Sequence, residues 1–321
     1  MLSGFGIEGD SADDISLSYL TRLEEEAEQQ AAEKEKERRE KEEEERVTAE
    51  ATRASRLERN RSLFFPALSE AAEGHLQDVL RWRAQWKAVR SDRPDGLKRK
   101  DLGTLLPQSA SEGIGWLNDE VVNEYLGSLV SRVKETRSRQ STSSVSDPPP
   151  PAWAVNSNWY NQIRTKGVAS VSRWARRAKL DGERLLEAEV VLIPVNSTGN
   201  HWTLLVIRPK ARSIEYLDSM GGGGSGIINA AKEYLAMTLG AKYNASEWSV
   251  ETGRSPLQAN GVDCGVFVCY NGLAAALGVN PTDAFTADDM ARGRRVIAAT
   301  LLHGSHTGPF DLPSRSRLTG A

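Results

Sequence analysis

Residues 189–218 read EVVLIPVNSTGNHWTLLVIRPKARSIEYLD, and this stretch decides the fold class. Three runs rich in Val, Ile and Leu are separated by Asn, Gly and Pro turn signals. That pattern predicts strands over 189–195, 202–208 and 213–217 in quick succession. If the second and third form a hairpin turning about Pro209 and Lys210, His201 and Asp218 fall directly opposite each other. Cross-strand partners have Cβ atoms about 4.5–5.5 Å apart, close enough for a carboxylate to orient an imidazole. A slip of one residue would send the two to opposite faces.

Helical patterns flank these strands. Upstream, globular patterning begins at Leu63, Phe64, Phe65 and Pro66, and Leu76, Val79, Leu80 and Trp86 fall on one helical face. A second helix is capped by Asn118 or Asp119, with Val121, Val122, Tyr125, Leu126, Leu129 and Val133 as its buried stripe. Residues 137–151, Ser-rich and ending in the Pro148–Pro151 run, read as a surface loop. Shorter helical regions follow at 159–163 and 171–178. Downstream of the strands, Gly221 to Gly224 make a mobile connection to a helix over 227–239, and a last helical pair covers 264–277 and 287–302. Helices segregated around a short, antiparallel-rich sheet define an α+β fold, with a catalytic-type domain over 61–310, an arm over 1–60 and a flexible tail over 311–321.

The second decisive stretch is QANGVDCGVFVCYNGLAAALG, residues 258–278. An apolar helical pattern starts at Cys264 itself, which sets its sulfur at a helix N-terminus, where the macrodipole favours thiolate. Gly261 suits a tight approach turn, and Gly265 leaves room for a substrate beside the sulfur. Cys269 lacks this context and reads as a buried core cysteine. A thiol nucleophile needs a base. Of the four histidines, His75 lies on an amphipathic helix and His303 and His306 near the C-terminus, so these three read as surface residues. His201, with Asp218 opposite, is the candidate base. Gln258, six residues before Cys264, can donate to an oxyanion alongside the Cys264 backbone N–H.

Composition bounds the rest. The 321 residues are 39% hydrophobic and 26% charged with a formal net charge of −3. That balance argues against a general nucleic-acid binder. The first residues, MLSGFGIEGDSADD, lack the apolar core of a signal peptide, and no run approaches the roughly 20 apolar residues of a membrane-spanning helix. Two cysteines five residues apart make neither a disulfide framework nor a four-ligand zinc site, so no metal or cofactor is expected, and the class is a soluble intracellular protein with reduced thiols. Between 24 and 46 the chain is almost purely Glu, Lys, Arg, Gln and Ala. Spacings such as Glu35 to Arg39, Glu37 to Lys41 and Glu42 to Arg46 suit helical ion pairs, but alanine alone cannot build a coiled-coil seam. The arm reads as solvated and partly helical, open to an unidentified protein partner.

In the order His201, Asp218, Gln258, Cys264, these residues resemble the Ulp/SENP family of SUMO-specific cysteine proteases. The matching stretches are WLNDEVVNEYL (116–126), VVLIPVNSTGNHWTLLVI (190–207), IEYLDSM (214–220) and QANGVDCGVFVC (258–269). Weaker echoes occur at LFFPALS, KRKDLGTL, SVSRWARRAKL and FTADDMARGRRVI. The resemblance implies a papain-like architecture in which His201 is the base, Asp218 its orienter, Cys264 the nucleophile and Gln258 an oxyanion donor. It implies that Trp116 and Trp202 clamp the Gly-Gly tail of SUMO or a related modifier, and that Asp119 pairs with an arginine on SUMO. It implies action on precursors or lysine conjugates, in the nucleus or at its periphery, with no cofactor. Rival readings are a deconjugase for the neddylation modifier, an acetyltransferase effector with a similar His, acid and Cys set, and a degenerate module that only binds the modifier.

Overall fold

The computed structural model describes residues 12–108, 114–140, 148–197 and 199–319. The chain divides into two units, Met1–Ser55 and Arg56–Ala321. Helix α1, Ala12–Phe64, opens the described chain. Within the first unit its described side chains are exposed, apart from the half-buried Glu35. Of the three ion pairs anticipated there, Glu35 meets Arg39 at 2.9 Å, while Arg46 instead pairs with Glu43 at 2.6 Å and Lys41 lies nearest Glu45 at 3.9 Å.

The second unit has the α+β architecture that the strand and helix patterns call for. Its elements are α2 (Glu70–Leu80), α3 (Arg99–Leu105), α4 (Asp119–Gln140), β1 (Ala152–Ala154), α5 (Trp159–Lys166), α6 (Ser172–Arg177), β2 (Val190–Asn196), β3 (Trp202–Arg208), β4 (Ser213–Leu217), α7 (Ser225–Leu239), β5 (Ser249–Thr252), α8 (Cys264–Leu277), α9 (Met290–His303) and α10 (Arg315–Thr319). The sheet order is β1-β2-β3-β4-β5. The three central strands are antiparallel, and β1 and β5 add to them in parallel. Both edge strands escaped the sequence reading because three or four residues carry too little alternation to register.

Every residue of β2 and β3 except the last is buried, so the central strands read as continuous apolar runs, as they must when both sheet faces are covered. Leu192, Leu204, Val206 and Leu217 face a core shared with α4 and α8. Val191, Ile193, Leu205, Ile207 and Tyr216 face the opposite core, with Trp159 of α5 and Tyr234 and Leu235 of α7. Cys269 is fully buried in the first of these, as expected. The anticipated stripe of α4, from Val121 to Val133, is buried throughout, and Asn118 caps that helix by accepting from the Val121 N–H at 3.1 Å.

Several expectations need correction. Helix α2 ends at Leu80, and Trp86 lies outside it, 76% exposed, with Lys100 over its ring. Residues 137–140, read as the start of a loop, are the last turn of α4; the remainder of that Ser-rich segment, 141–147, lies outside the described residues. His306, assigned to the surface, is 3% exposed: its ring packs edge-on against Tyr125 and its Nδ1 lies 3.1 Å from Ser128 Oγ. Proximity to the C-terminus gave no hint of that burial.

Candidate active site

The β3–β4 hairpin places His201 and Asp218, but not in the anticipated register. A two-residue turn at Pro209 and Lys210 would have paired them directly. Instead a 3-10 turn at Pro209–Ala211 and Arg212 in the left-handed region (φ 51°) lengthen the loop, and Arg208 pairs with Ser213. The register is offset by two, with Leu204 opposite Leu217, so continuing it sets Asp218 beside Thr203. A shift of two keeps both side chains on the same face. The contact is therefore made on the diagonal: His201 Nε2 donates to Asp218 Oδ1 at 2.7 Å.

Asp218 is itself held. Its carboxylate accepts from the Met220 N–H at 2.8 Å and the Gly222 N–H at 3.2 Å as the chain turns around it. A Cβ on Gly222 would strike Asp218 Oδ2, and one on Gly224 would strike the Tyr216 ring. The glycine run thus serves close approach around the carboxylate, a purpose that the reading as a mobile connection overlooked.

On the other side of the crevice, Cys264 is the first residue of α8, as its apolar pattern required. The first-turn N–H groups of a helix have no intrahelical acceptor, so their positive potential surrounds the sulfur. Gly265 does not leave space for a ligand: a Cβ there would lie 2.8 Å from Leu117 Cβ, so the glycine permits α8 to pack against the 116–118 segment. That segment links both halves. Trp116 Nε1 donates to the Gly261 carbonyl at 2.8 Å, just ahead of Cys264, and Trp202 Nε1 donates to the Leu117 carbonyl at 2.8 Å, just after His201.

Burial pushes the Cys264 thiol up, but hydrogen bonding to His201 and to the Trp202 and Gly265 backbone, with the His201 charge, outweighs it and the thiol ends below its ordinary value. Hydrogen bonds to Asp218 and then to Cys264 push His201 up to about 9 despite its burial. Asp218 follows the same pattern as the thiol: burial raises it, and the His201, Met220 and Gly222 contacts bring it below the usual carboxylate range. With Nε2 given to Asp218, Nδ1 is the nitrogen left for sulfur. A thiol, imidazole and carboxylate so linked can hold a thiolate–imidazolium pair near neutral pH, which is the state a nucleophilic cysteine needs.

Gln258 sits in the loop before α8, but its side chain is engaged elsewhere. Its Oε1 accepts from Ser219 Oγ at 2.7 Å and its Nε2 donates to the Asn260 carbonyl, leaving one amide proton uncommitted. Trp116 is 42% exposed, whereas Trp202 is 3% exposed and mostly core. Together with the exposed Asp119 they line a groove of about 980 Å³, continued by Asn156, Asn161 and Asn196. Among the described residues no three His, Cys, Asp or Glu side chains cluster as metal ligands, and no helix is long and apolar enough to cross a membrane.

One residue was missed altogether. Arg294 of α9 is buried and donates to Asp263 Oδ1 through Nε at 2.8 Å and a terminal nitrogen at 2.7 Å, and also to the Val262 and Leu105 carbonyls at 3.0 Å. It also backs against Gly115, next to Trp116. Asp263 precedes the candidate nucleophile, so Arg294 fastens the approach loop to α3 and to the Trp116 segment. An Arg in RGRRVI offers no sequence sign of this.

Comparison with known proteins agrees with the geometry. Residues 115–303 match the sequence model of the Ulp1 protease family, C-terminal catalytic domain. The chain is 34% identical over 202 residues to a sentrin-specific protease of Caenorhabditis elegans, covering 61% of this chain and 26% of that protein. It is 29% identical over 243 residues to human sentrin-specific protease 2, covering 74% of this chain and 37% of that one. It thus spans between about a quarter and somewhat over a third of these relatives' length. The Chaetomium thermophilum Ulp1-like SUMO protease catalytic domain superposes with a TM-score of 0.67 at 28% identity, over 77% of this chain and 94% of that domain.

Proposed function

Because the chain belongs to the Ulp1 protease family, we propose that it is a cysteine protease cleaving after the C-terminal Gly-Gly of SUMO, in precursors, in conjugates on lysine, or in both. The observation that carries this reading is the hydrogen-bonded chain from Asp218 through His201 to Cys264, with the sulfur at the head of α8. The modifier tail would lie in the groove between Trp116 and Trp202, where flat indoles admit glycine and exclude side chains. Asp119, exposed on the same groove, would pair with an arginine of the modifier. The catalytic domain would cover 61–310, with 1–60 an arm for another protein and 311–321 a tail. A nuclear or nuclear-rim location goes with this reading, and imaging the tagged chain tests it.

In the first step the Cys264 thiolate attacks the carbonyl carbon of the terminal glycine. The oxyanion meets the Cys264 N–H and the uncommitted amide proton of Gln258, a donor whose removal typically costs about 10²–10³ in rate. The His201 imidazolium gives its proton to the leaving amine as the tetrahedral species collapses to a thioester. The now neutral His201 then takes a proton from water, whose oxygen attacks the thioester and releases the modifier and the thiolate.

Labelling by SUMO carrying a C-terminal vinyl sulfone, beside matching ubiquitin and neddylation-modifier probes, tests the reading. Labelling by the SUMO probe alone, lost in Cys264→Ser, is the expected result. Labelling by another probe alone would keep the chemistry and overturn the substrate, and labelling that survives in Cys264→Ser would overturn the nucleophile.

A further inference from the structure

Beside the tail groove lies a second cavity of about 520 Å³. Trp153 on β1 and Trp174 on α6 form its walls, Lys134 of α4 and Arg177 at the end of α6 stand over it, and Asn156 and Asn158 are shared with the groove. Neither cation has an acidic partner among the described residues. Their neighbours do: Arg137 pairs with Glu189 at 3.0 Å, and Arg176 reaches Asp181 at 3.7 Å. Lys134 is half-buried, and that burial lowers its pKa below the ordinary lysine value. A desolvated ammonium beside a guanidinium with no counter-charge favours an anion, since charge-assisted hydrogen bonds there are stronger than neutral ones. The indoles add faces for apolar side chains.

Resting on the protease reading, we propose that this cavity is an exosite for an acidic segment of the protein substrate, on the modifier side of the scissile bond, whose carboxylates bind Lys134 and Arg177 while an adjacent apolar side chain lies between Trp153 and Trp174. Three features select this occupant. The charge is complementary to carboxylates. The walls suit a peptide that alternates acidic and apolar residues. The shared asparagines make the cavity continuous with the groove assigned to the modifier tail, so one substrate reaches both. The tail groove selects by steric exclusion of side chains, whereas this site would select by charge and act on encounter and KM.

The test has two arms. In the first, the fluorescein-labelled peptide Leu-Glu-Asp-Leu-Glu-Asp and its Gln/Asn counterpart are titrated by anisotropy against the full chain and its Lys134→Gln/Arg177→Gln double variant. The expected result is binding of the acidic peptide alone, weakened about five- to tenfold in the variant and by salt. Equal binding of the neutral peptide, or no loss in the variant, would overturn the site. In the second arm, KM is measured for folded SUMO bearing a C-terminal fluorophore and for a short Gly-Gly-terminated tail peptide bearing the same group. A KM raised about fivefold for the folded substrate only, with kcat unchanged, supports the assignment. Lost peptide binding with KM unchanged would overturn the link to the substrate. If the parent chain cleaves neither substrate, the protease reading fails and the exosite for that substrate falls with it, while the peptide titration still reports on anion binding at Lys134 and Arg177.

Discussion

His201 and Asp218 lie 17 residues apart on one hairpin, while the approach to Cys264 is held by Trp116, 145 residues away from Gly261, and by Arg294, 31 residues beyond Asp263. The hairpin half of the crevice is set by local register: two strands, a turn and the alternation of side chains. The helix half is set by long-range ties that converge on the loop before α8. The two halves should therefore fail differently, the first through chemistry and the second through stability and placement.

Breaking the helix half should have the largest effect. Arg294→Met leaves the Asp263 carboxylate buried without its guanidinium, and removing one partner of a buried pair costs about 3–5 kcal/mol. Urea denaturation of the variant is expected to show that loss, accompanied by a fall in turnover because the Cys264 approach loop is no longer tied to α3. Unchanged stability would mean that Asn260, which also donates to Asp263 at 2.7 Å, carries the loop alone.

Breaking the hairpin half should cost turnover first. Asp218→Asn removes the main cause of the raised His201 pKa, so that pKa drops from about 9 towards its ordinary value. The imidazolium persists only below its own pKa, so the alkaline limb of the kcat/KM profile should move to lower pH, with a rate loss of about 10². A profile unmoved on the alkaline side would separate that limb from His201.

A smaller effect sharpens the contrast between the two histidines that the chain buries to different ends. Burial pushes His306 down to about 4, so it stays neutral in the folded chain while its unfolded counterpart, with a pKa of about 6.5, takes up a proton. The unfolded state then binds more protons, and stability falls as pH drops from about 6.5 towards 4, by about 2 kcal/mol between pH 7 and pH 5. His306→Gln should flatten that slope. His201 has the opposite sign: its pKa is raised, so its contribution is present below about 6.5 and fades as pH climbs through about 9.

What the sequence disclosed follows the same division. The bounds of β3, β4 and α8 were legible, because the apolar runs stop at turn and capping residues: Pro209 after β3, Asp218 after β4, and Asp263 and Gly278 on either side of α8. The pairing of His201 with Asp218 was legible for a sound reason and in the wrong register: the face survived an offset of two that the left-handed Arg212 introduced. Trp202 was anticipated as a clamp, yet most of its surface serves the core, leaving the exposed Trp116 as the freer wall. Arg294, the burial of His306 and the packing of Gly265 on Leu117 were illegible, since each depends on a partner remote in the chain. The edge strands β1 and β5 escaped because their partners, not their own residues, make them strands.

The central claim is that His201 holds Cys264 as a thiolate, and the alkylation rate of Cys264 by iodoacetamide as a function of pH tests it most directly, with Cys264→Ser marking the contribution of buried Cys269. In the parent chain the rate should titrate with a midpoint below that of an ordinary thiol, about 8.5. In His201→Ala the midpoint should rise, because burial is then opposed only by the Trp202 and Gly265 backbone hydrogen bonds and no longer by the imidazolium. A parent midpoint at or above the ordinary value, or one that His201→Ala leaves in place, would contradict the ion pair on which the proposed chemistry depends.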